Sequence, residues 1–238
     1  MPDGIWAAAA GMQAQQTRID FLSNDIANLN TTGYKAQRLA FRDLLYSPEQ
    51  GVPVGAGSAL TNLGMTGEAG ALQQSDDPLA LALQGPGFFQ VERADGTVAL
   101  TRDGGFGLDA NGDLVTSTGE RLQPPLRLPK GTQPADVSIA GDGTVTVGGK
   151  KLGQISVVDV PAAGGLRSLG DNLYAPTAAS GAPVPSKTQI QQGATEASNV
   201  DLSTTMSELI DAQRSYELAS RAIKTQDELL DVANQIVK

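Results

Sequence analysis

Residues 199–238, NVDLSTTMSELIDAQRSYELASRAIKTQDELLDVANQIVK, contain neither glycine nor proline. Leu202, Leu209, Tyr216, Ile223, Leu230 and Val237 recur every seventh residue. Small or polar residues (Thr205, Ala212, Ala219, Gln226, Ala233) sit three places after the first five of these. That is an a/d heptad whose seam alternates large and small side chains, so a second helix can approach closely. Ser198-x-x-Asp201 has the form of a capping box just before the apolar run. A helix over residues 199–237 spans roughly 58 Å at ~1.5 Å per residue. The usual globular helix has only about 11–12 residues. A stripe this long favours a helical partner, the N-terminal helix first and another copy of the chain next, over ordinary packing on a globular core.

The N-terminal end supplies one. Ile5, Met12, Ile19 and Ile26 are spaced by seven, and Ala8, Gln15, Leu22 and Leu29 follow each by three. Pro2 is tolerated in a first helical turn, and Gly33 is placed to end the helical region. Residues 1–29 and 199–238 hold only Pro2, Gly4 and Gly11 of the chain's 13 prolines and 28 glycines. The breakers collect in the middle, where Asp95-Gly96, Asn111-Gly112 and Asp142-Gly143 separate short apolar runs. Those runs are 88–91 and 98–101, 106–108 and 114–116, and 137–139 and 145–147, with one more at 155–160. Asp-Gly and Asn-Gly between such runs are the strongest short hairpin signals.

The fold class expected is therefore α+β. Long N- and C-terminal helices form a coiled coil, and a central domain is antiparallel and β-rich. The expected divisions are an N-terminal helix in 1–35, a connecting segment in 36–69 and a β-rich domain in 70–185. A second connecting segment follows in 186–198, then a C-terminal helix in 199–238.

Composition narrows the chemistry. A net charge of −9, from 17 basic and 26 acidic residues, repels phosphate backbones and argues against nucleic acid as a partner. The chain has no histidine and no cysteine, which removes Ser-His and Cys-His nucleophiles, thiolate and imidazole metal sites, and disulfides. Asp109, Asn111, Asp113 and Glu120 fall at positions 1, 3, 5 and 12 of a calcium loop, but Leu114 stands where that loop needs glycine. They read as an Asn-Gly hairpin. No catalytic residue, cofactor or metal is expected, and the chain reads as a non-enzyme. Asp3 stands where the basic region of a cleavable signal peptide belongs, so export requires another route.

Several stretches together resemble one family. Ala27-Asn28-Leu29-Asn30-Thr31-Thr32-Gly33-Tyr34-Lys35 matches the A-N-x-N-T-x-G-[YF]-K signature of bacterial flagellar rod and hook proteins, with Ala27, Asn28, Asn30, Thr31, Gly33, Tyr34 and Lys35 at its stated positions. Phe41 to Tyr46 follows it. Gly85-Pro86-Gly87-Phe88-Phe89-Gln90-Val91 and Thr101-Arg102-Asp103-Gly104-Gly105-Phe106 are similar to motifs of the family's β domain. Gly170 to Tyr174, Glu196 to Asp201 and Ala212 to Glu217 complete the series in order.

The resemblance implies a self-assembling structural subunit of the flagellar basal-body rod, nearest the distal rod, with a proximal rod subunit as alternative. Such subunits form a helical tubular drive shaft that transmits torque from motor to hook. Implied partners are copies of itself, other rod subunits and hook protein, surrounding ring proteins or cell wall, and the flagellar type III export apparatus. The implied location is the basal body, crossing the periplasm or cell wall. Ile5, Met12, Ile19, Leu22, Ile26, Leu29, Leu202, Leu209, Tyr216, Ile223, Leu230 and Val237 are the expected packing and assembly residues. A reading without the resemblance is a cell-envelope binding module on an oligomerising helical stalk.

Overall fold

The computed structural model describes residues 3–46, 54–129 and 131–236. The chain is α+β and forms two units. A helical unit holds α1 (Asp3–Ala27), nearly all of a strand pair β1 (Gln37–Tyr46) and β2 (Val54–Met65), and α2 (Leu202–Ile236). A β unit holds residues 28–36 and 64–200.

In the helical unit, α1 has 25 residues and α2 has 35, and the two lie against each other. Arg18 Nη2 donates to Glu208 Oε2 at 3.3 Å. α1 stops at Ala27, well before Gly33, because Thr31 N turns back to Asn28 O at 3.1 Å. Leu29 therefore falls outside the helix and in the β unit. α2 is capped by Asp201 rather than by Ser198. Asp201 Oδ1 accepts the Thr204 amide at 2.7 Å, while Ser198 Oγ accepts the Val200 amide at 3.3 Å. That bond from Thr204 holds the Asp201 carboxyl below the usual carboxylate range.

The stretch 36–69, expected to be a connection, carries β1 and β2. The run Ala7–Ala10 gives α1 a surface of small side chains there. A Cβ on Gly57, whose φ is +97°, would lie 2.8 Å from Ala7 O and 2.9 Å from the Ala10 Cβ. Only glycine permits β2 to come this close to the helix.

The β unit contains β3 (Leu72–Gln74), β4 (Leu81–Gln84), β5 (Phe88–Glu92), β6 (Val98–Thr101), β7 (Gly107–Leu108), β8 (Leu114–Val115) and β9 (Arg121–Leu122). It continues with β10 (Val137–Ile139), β11 (Thr144–Val147), β12 (Lys150–Gln154), β13 (Val157–Asp159), β14 (Arg167–Gly170) and β15 (Leu173–Ala175). Last come β16 (Val184–Pro185), β17 (Gln189–Gln192) and β18 (Ala194–Glu196). The main sheet runs β14-β15-β6-β5-β9-β8-β7, with β13 paired to β5 and β16 paired to β13. β10-β11-β12 form a second sheet, and β17 and β18 return to β4 and β3. Every pairing described in the unit is antiparallel.

Alternation along these strands sends neighbours to opposite faces. Phe89, Val91, Ala99, Val157 and Leu173 enter one core with Phe106, Leu122, Val145 and Ile190. Phe88, Leu100, Val158 and Tyr174 enter a second with Met65, Val160 and Leu166. The sheet is buried on both faces, which is why its strands read as unbroken apolar runs. Each Asp-Gly or Asn-Gly turn is tied by a carboxylate: Asp95 to the Thr97 amide, Asp109 to those of Asn111 and Asp113, Asp142 to that of Thr144. Burial of Tyr174 pushes its hydroxyl pKa up from 10.0 to about 12.

Candidate functional site

The family-like signature leads into a buried cluster of charge in the β unit. Gly33 has φ +68°, and a Cβ there would lie 2.6 Å from the Arg102 carbonyl carbon and the Asp103 nitrogen. This position demands glycine, and its amide reaches Glu196 O at 2.7 Å. Thr32 Oγ1 donates to Asp103 at 2.8 Å, and Asn172 Nδ2 donates to Thr32 O at 2.8 Å. The turn so held directs Lys35 inward, where it is only 2% exposed.

Glu196, 1% exposed, receives that ammonium at 2.5 Å on Oε1 and the Gly70 amide at 2.8 Å on the same oxygen. Its Oε2 accepts Arg102 Nη1 at 3.0 Å. Lys35 also donates to Glu68 O at 2.6 Å, and Arg102 Nη2 to Gly85 O at 2.9 Å. The Arg102 guanidinium lies 5.3 Å from the Phe88 ring centroid. Two cations thus share one carboxylate away from water. Burial lowers the Lys35 pKa, and the hydrogen bond and charge of Glu196 oppose that shift. Asn199 extends the cluster, accepting the Ala36 amide at 2.8 Å and donating to Glu68 O at 2.9 Å.

Of the signature residues, Gly33, Tyr34 and Lys35 are buried, Asn28 and Thr31 form the turn after α1, and Ala27 and Asn30 are exposed. Lys35 was legible only as the end of a motif. Its partners Arg102 and Glu196 stand inside two other quoted motifs, Thr101 to Phe106 and Glu196 to Asp201, and no spacing relates the three. The would-be calcium ligands have other partners. Asp113 faces Arg127 at 3.4 Å, and Glu120 accepts from Thr116 and Thr118. Among the described residues no group of three acidic side chains is placed to hold a metal.

The helical unit presents the second feature. On α1, Leu22 is buried and Met12, Ile19 and Ile26 are half-buried. On α2, Leu209, Tyr216 and Ile223 are half-buried around buried Thr205 and Ala212, whereas Leu202 is 41% exposed in the first turn. The Ile5 and Leu230 side chains and Val237 lie outside the described residues. α2 is apolar on its other side too. Met206, Ile210, Leu218, Leu229 and Val232 are 47–65% exposed, a stripe the heptad did not announce.

The flagellar hook protein FlgE/F/G D1 domain matches residues 82–147, the flagellar basal body rod FlgEFG protein C-terminal family residues 191–236, and the flagella basal body rod protein family residues 5–35. The chain is 38% identical to the flagellar basal-body rod protein FlgG of Agrobacterium fabrum, over 97% of this chain and 98% of that one. It is 33% identical to FlgG of Bacillus subtilis, over 95% and 96%. It is 32% identical to the rod protein FlgF of Caulobacter vibrioides, over 96% and 95%. The charged cluster draws on segments within or beside all three matched regions, and the chain belongs to the flagellar hook and basal-body rod family.

Proposed function

We propose that this chain is a structural subunit of the flagellar basal-body rod, of its distal part, that assembles with copies of itself into a helical tube transmitting torque from motor to hook. The observation that carries the reading is the second apolar stripe of α2. A helix with one face on α1 and an exposed apolar face opposite needs a further helical neighbour. A contact between unlike faces of identical chains propagates into an open helical array when its rotation does not close into a ring. The coiled-coil role of Met12, Ile19, Leu22 and Ile26 with Leu209, Tyr216 and Ile223 belongs to the same proposal. So do export through the type III apparatus without signal cleavage, passage through the periplasm or cell wall, and contact with ring proteins, hook protein and other rod subunits. A non-enzymatic role fits a chain whose buried charges are spent on one another. The full-length likeness to a FlgF protein keeps a proximal rod subunit as the second reading.

Sedimentation of purified protein tests the proposal. The parent chain is expected to pellet as long assemblies. Leu209→Asp or Ile223→Asp is expected to abolish pelleting while the β unit keeps its near-ultraviolet dichroism. A parent chain that stays a small oligomer and pellets with peptidoglycan would point to an envelope binding module instead.

A further inference from the structure

The charged cluster lies where the chain enters and leaves the β unit. Residues 28–36 join α1 to β1, residues from 66 follow β2, and residues up to 200 precede α2. Lys35 belongs to the first segment, Glu68 and Gly70 to the second, and Glu196 and Asn199 to the third. Arg102, from the loop after β6, bonds Glu196 and Gly85, and Glu196 in turn bonds Lys35 and Gly70. Backbone bonds link the segments as well, Thr66 N to Ala36 O at 2.9 Å and Ala197 N to Ala71 O at 2.8 Å.

The strands that carry these contacts are poor at fixing their own alignment. β3 and β18 pair over three residues each, Ala194 with Gln74, Thr195 with Gln73 and Glu196 with Leu72. All three β3 side chains are exposed, so β3 brings no apolar alternation to the pair, and the two buried positions of β18 are the small Ala194 and the charged Glu196. A one-residue slip would turn Glu196 to the opposite face. Lys35 and Arg102 would then be left buried with no anion. A trio of apolar side chains would impose no such penalty, and it would also avoid the cost of removing three charges from water.

We infer that Lys35, Glu196 and Arg102 form a register clamp: they select one alignment of the three segments and add little net stability. The inference goes beyond the rod reading and does not depend on it.

The cysteine-free chain permits a direct test. Thr195→Cys with Gln73→Cys reports the native alignment, because directly paired strand residues come within disulfide reach. Thr195→Cys with Leu72→Cys reports the slipped one. In the full parent chain only the first pair is expected to cross-link on mild oxidation. In the apolar background Lys35→Met, Arg102→Met and Glu196→Leu, melting is expected within a few degrees of the parent, with both pairs cross-linking. Glu196→Gln is the second, minimal background, with slipped cross-linking at least tenfold above the parent. Native-only cross-linking in both backgrounds overturns the clamp. An apolar variant that does not fold overturns the claim that the charges act on specificity rather than stability. Failure of the parent chain to form long assemblies would strike the rod reading and leave this result standing.

Discussion

The two units spend their apolar residues in opposite ways. In the β unit, Phe89, Val91, Ala99, Leu100 and Val145 are all 0% exposed, and aromatic pairs such as Phe89 with Phe106, at 5.2 Å and 90°, fill the interior. In the helical unit, the buried apolar residues among those described are Ala14, Leu22 and Ala212, two of them alanine. Large apolar side chains stay in water there instead, with Trp6 at 70%, Leu45 at 68% and Leu218 at 65% exposure. The β unit contributes only Leu72, Val98, Leu152 and Val184 to that exposed set. The difference teaches that one unit completes its own core, while the other leaves much of its apolar surface open.

Truncating the interior should break the comparison on one side alone. Phe89→Ala is expected to cost the β unit about 3–5 kcal/mol, because a large side chain leaves a cavity that its neighbours only partly refill. Chemical denaturation followed by near-ultraviolet dichroism measures it. An equal loss of helical signal at the same denaturant concentration would mean the units do not unfold separately.

Alkaline titration sharpens the same point. Tyr174 has its folded pKa raised, so the protonated form is favoured in the folded state. Its contribution is complete below pH 10 and is lost as pH climbs to about 12, about 2–3 kcal/mol in all. Tyr174→Phe is expected to flatten that decline. Burial lowers the Lys35 pKa, so Lys35 acts in the opposite sense, easing as pH rises toward 10.5. The measured slope should therefore steepen in a Lys35→Met variant.

Acid acts on the turns. The carboxyls of Asp95, Asp109 and Asp142 are held below their ordinary range by hydrogen bonds from nearby residues. Their contribution is present above pH 4 and is lost as pH falls through the lowered values. Melting at pH 2 is expected below that at pH 5, with Asp142→Asn narrowing the gap. The smallest effect on the isolated chain belongs to Leu218→Ser, within about 0.5 kcal/mol. The same change should nevertheless lower the pelleted fraction severalfold. A large stability loss would show that Leu218 packs within its own chain.

Legibility in the sequence followed the same divide. The seven-residue spacing from Leu202 to Ile223 was enough to expect a helix there, as α2 is, since a helical stripe is a local pattern. The Asp-Gly and Asn-Gly turns located the strand pairs β5-β6, β7-β8 and β10-β11 for the same reason. β12 was missed because Lys150, Lys151 and Gln154 on an exposed strand carry no apolar alternation. β1 and β2 were taken for a connection although Gln37–Tyr46 is rich in Leu and Phe. Phe41 and Leu45 stay exposed, so no buried alternation marks β1 in the sequence. Lys35 and Glu196 are 161 residues apart, and no local pattern relates them. The second stripe of α2 escaped because its spacing, from Met206 and Ile210 to Leu218 and Leu229, follows no single heptad position.

The bond between Lys35 and Glu196 also closes residues 35–196 into a loop of chain, fastened at one knot, that takes in β1, β2 and most of the β unit. In a closed loop, added length is thermodynamically cheap: doubling a flexible loop costs only about 0.6 kcal/mol in closure entropy. Whatever is inserted at an outlying turn, such as Gly148-Gly149, leaves the knot and both of its outgoing strands where they were. The β unit can therefore gain or lose residues at such a turn while the segments that carry the cluster stay as they are.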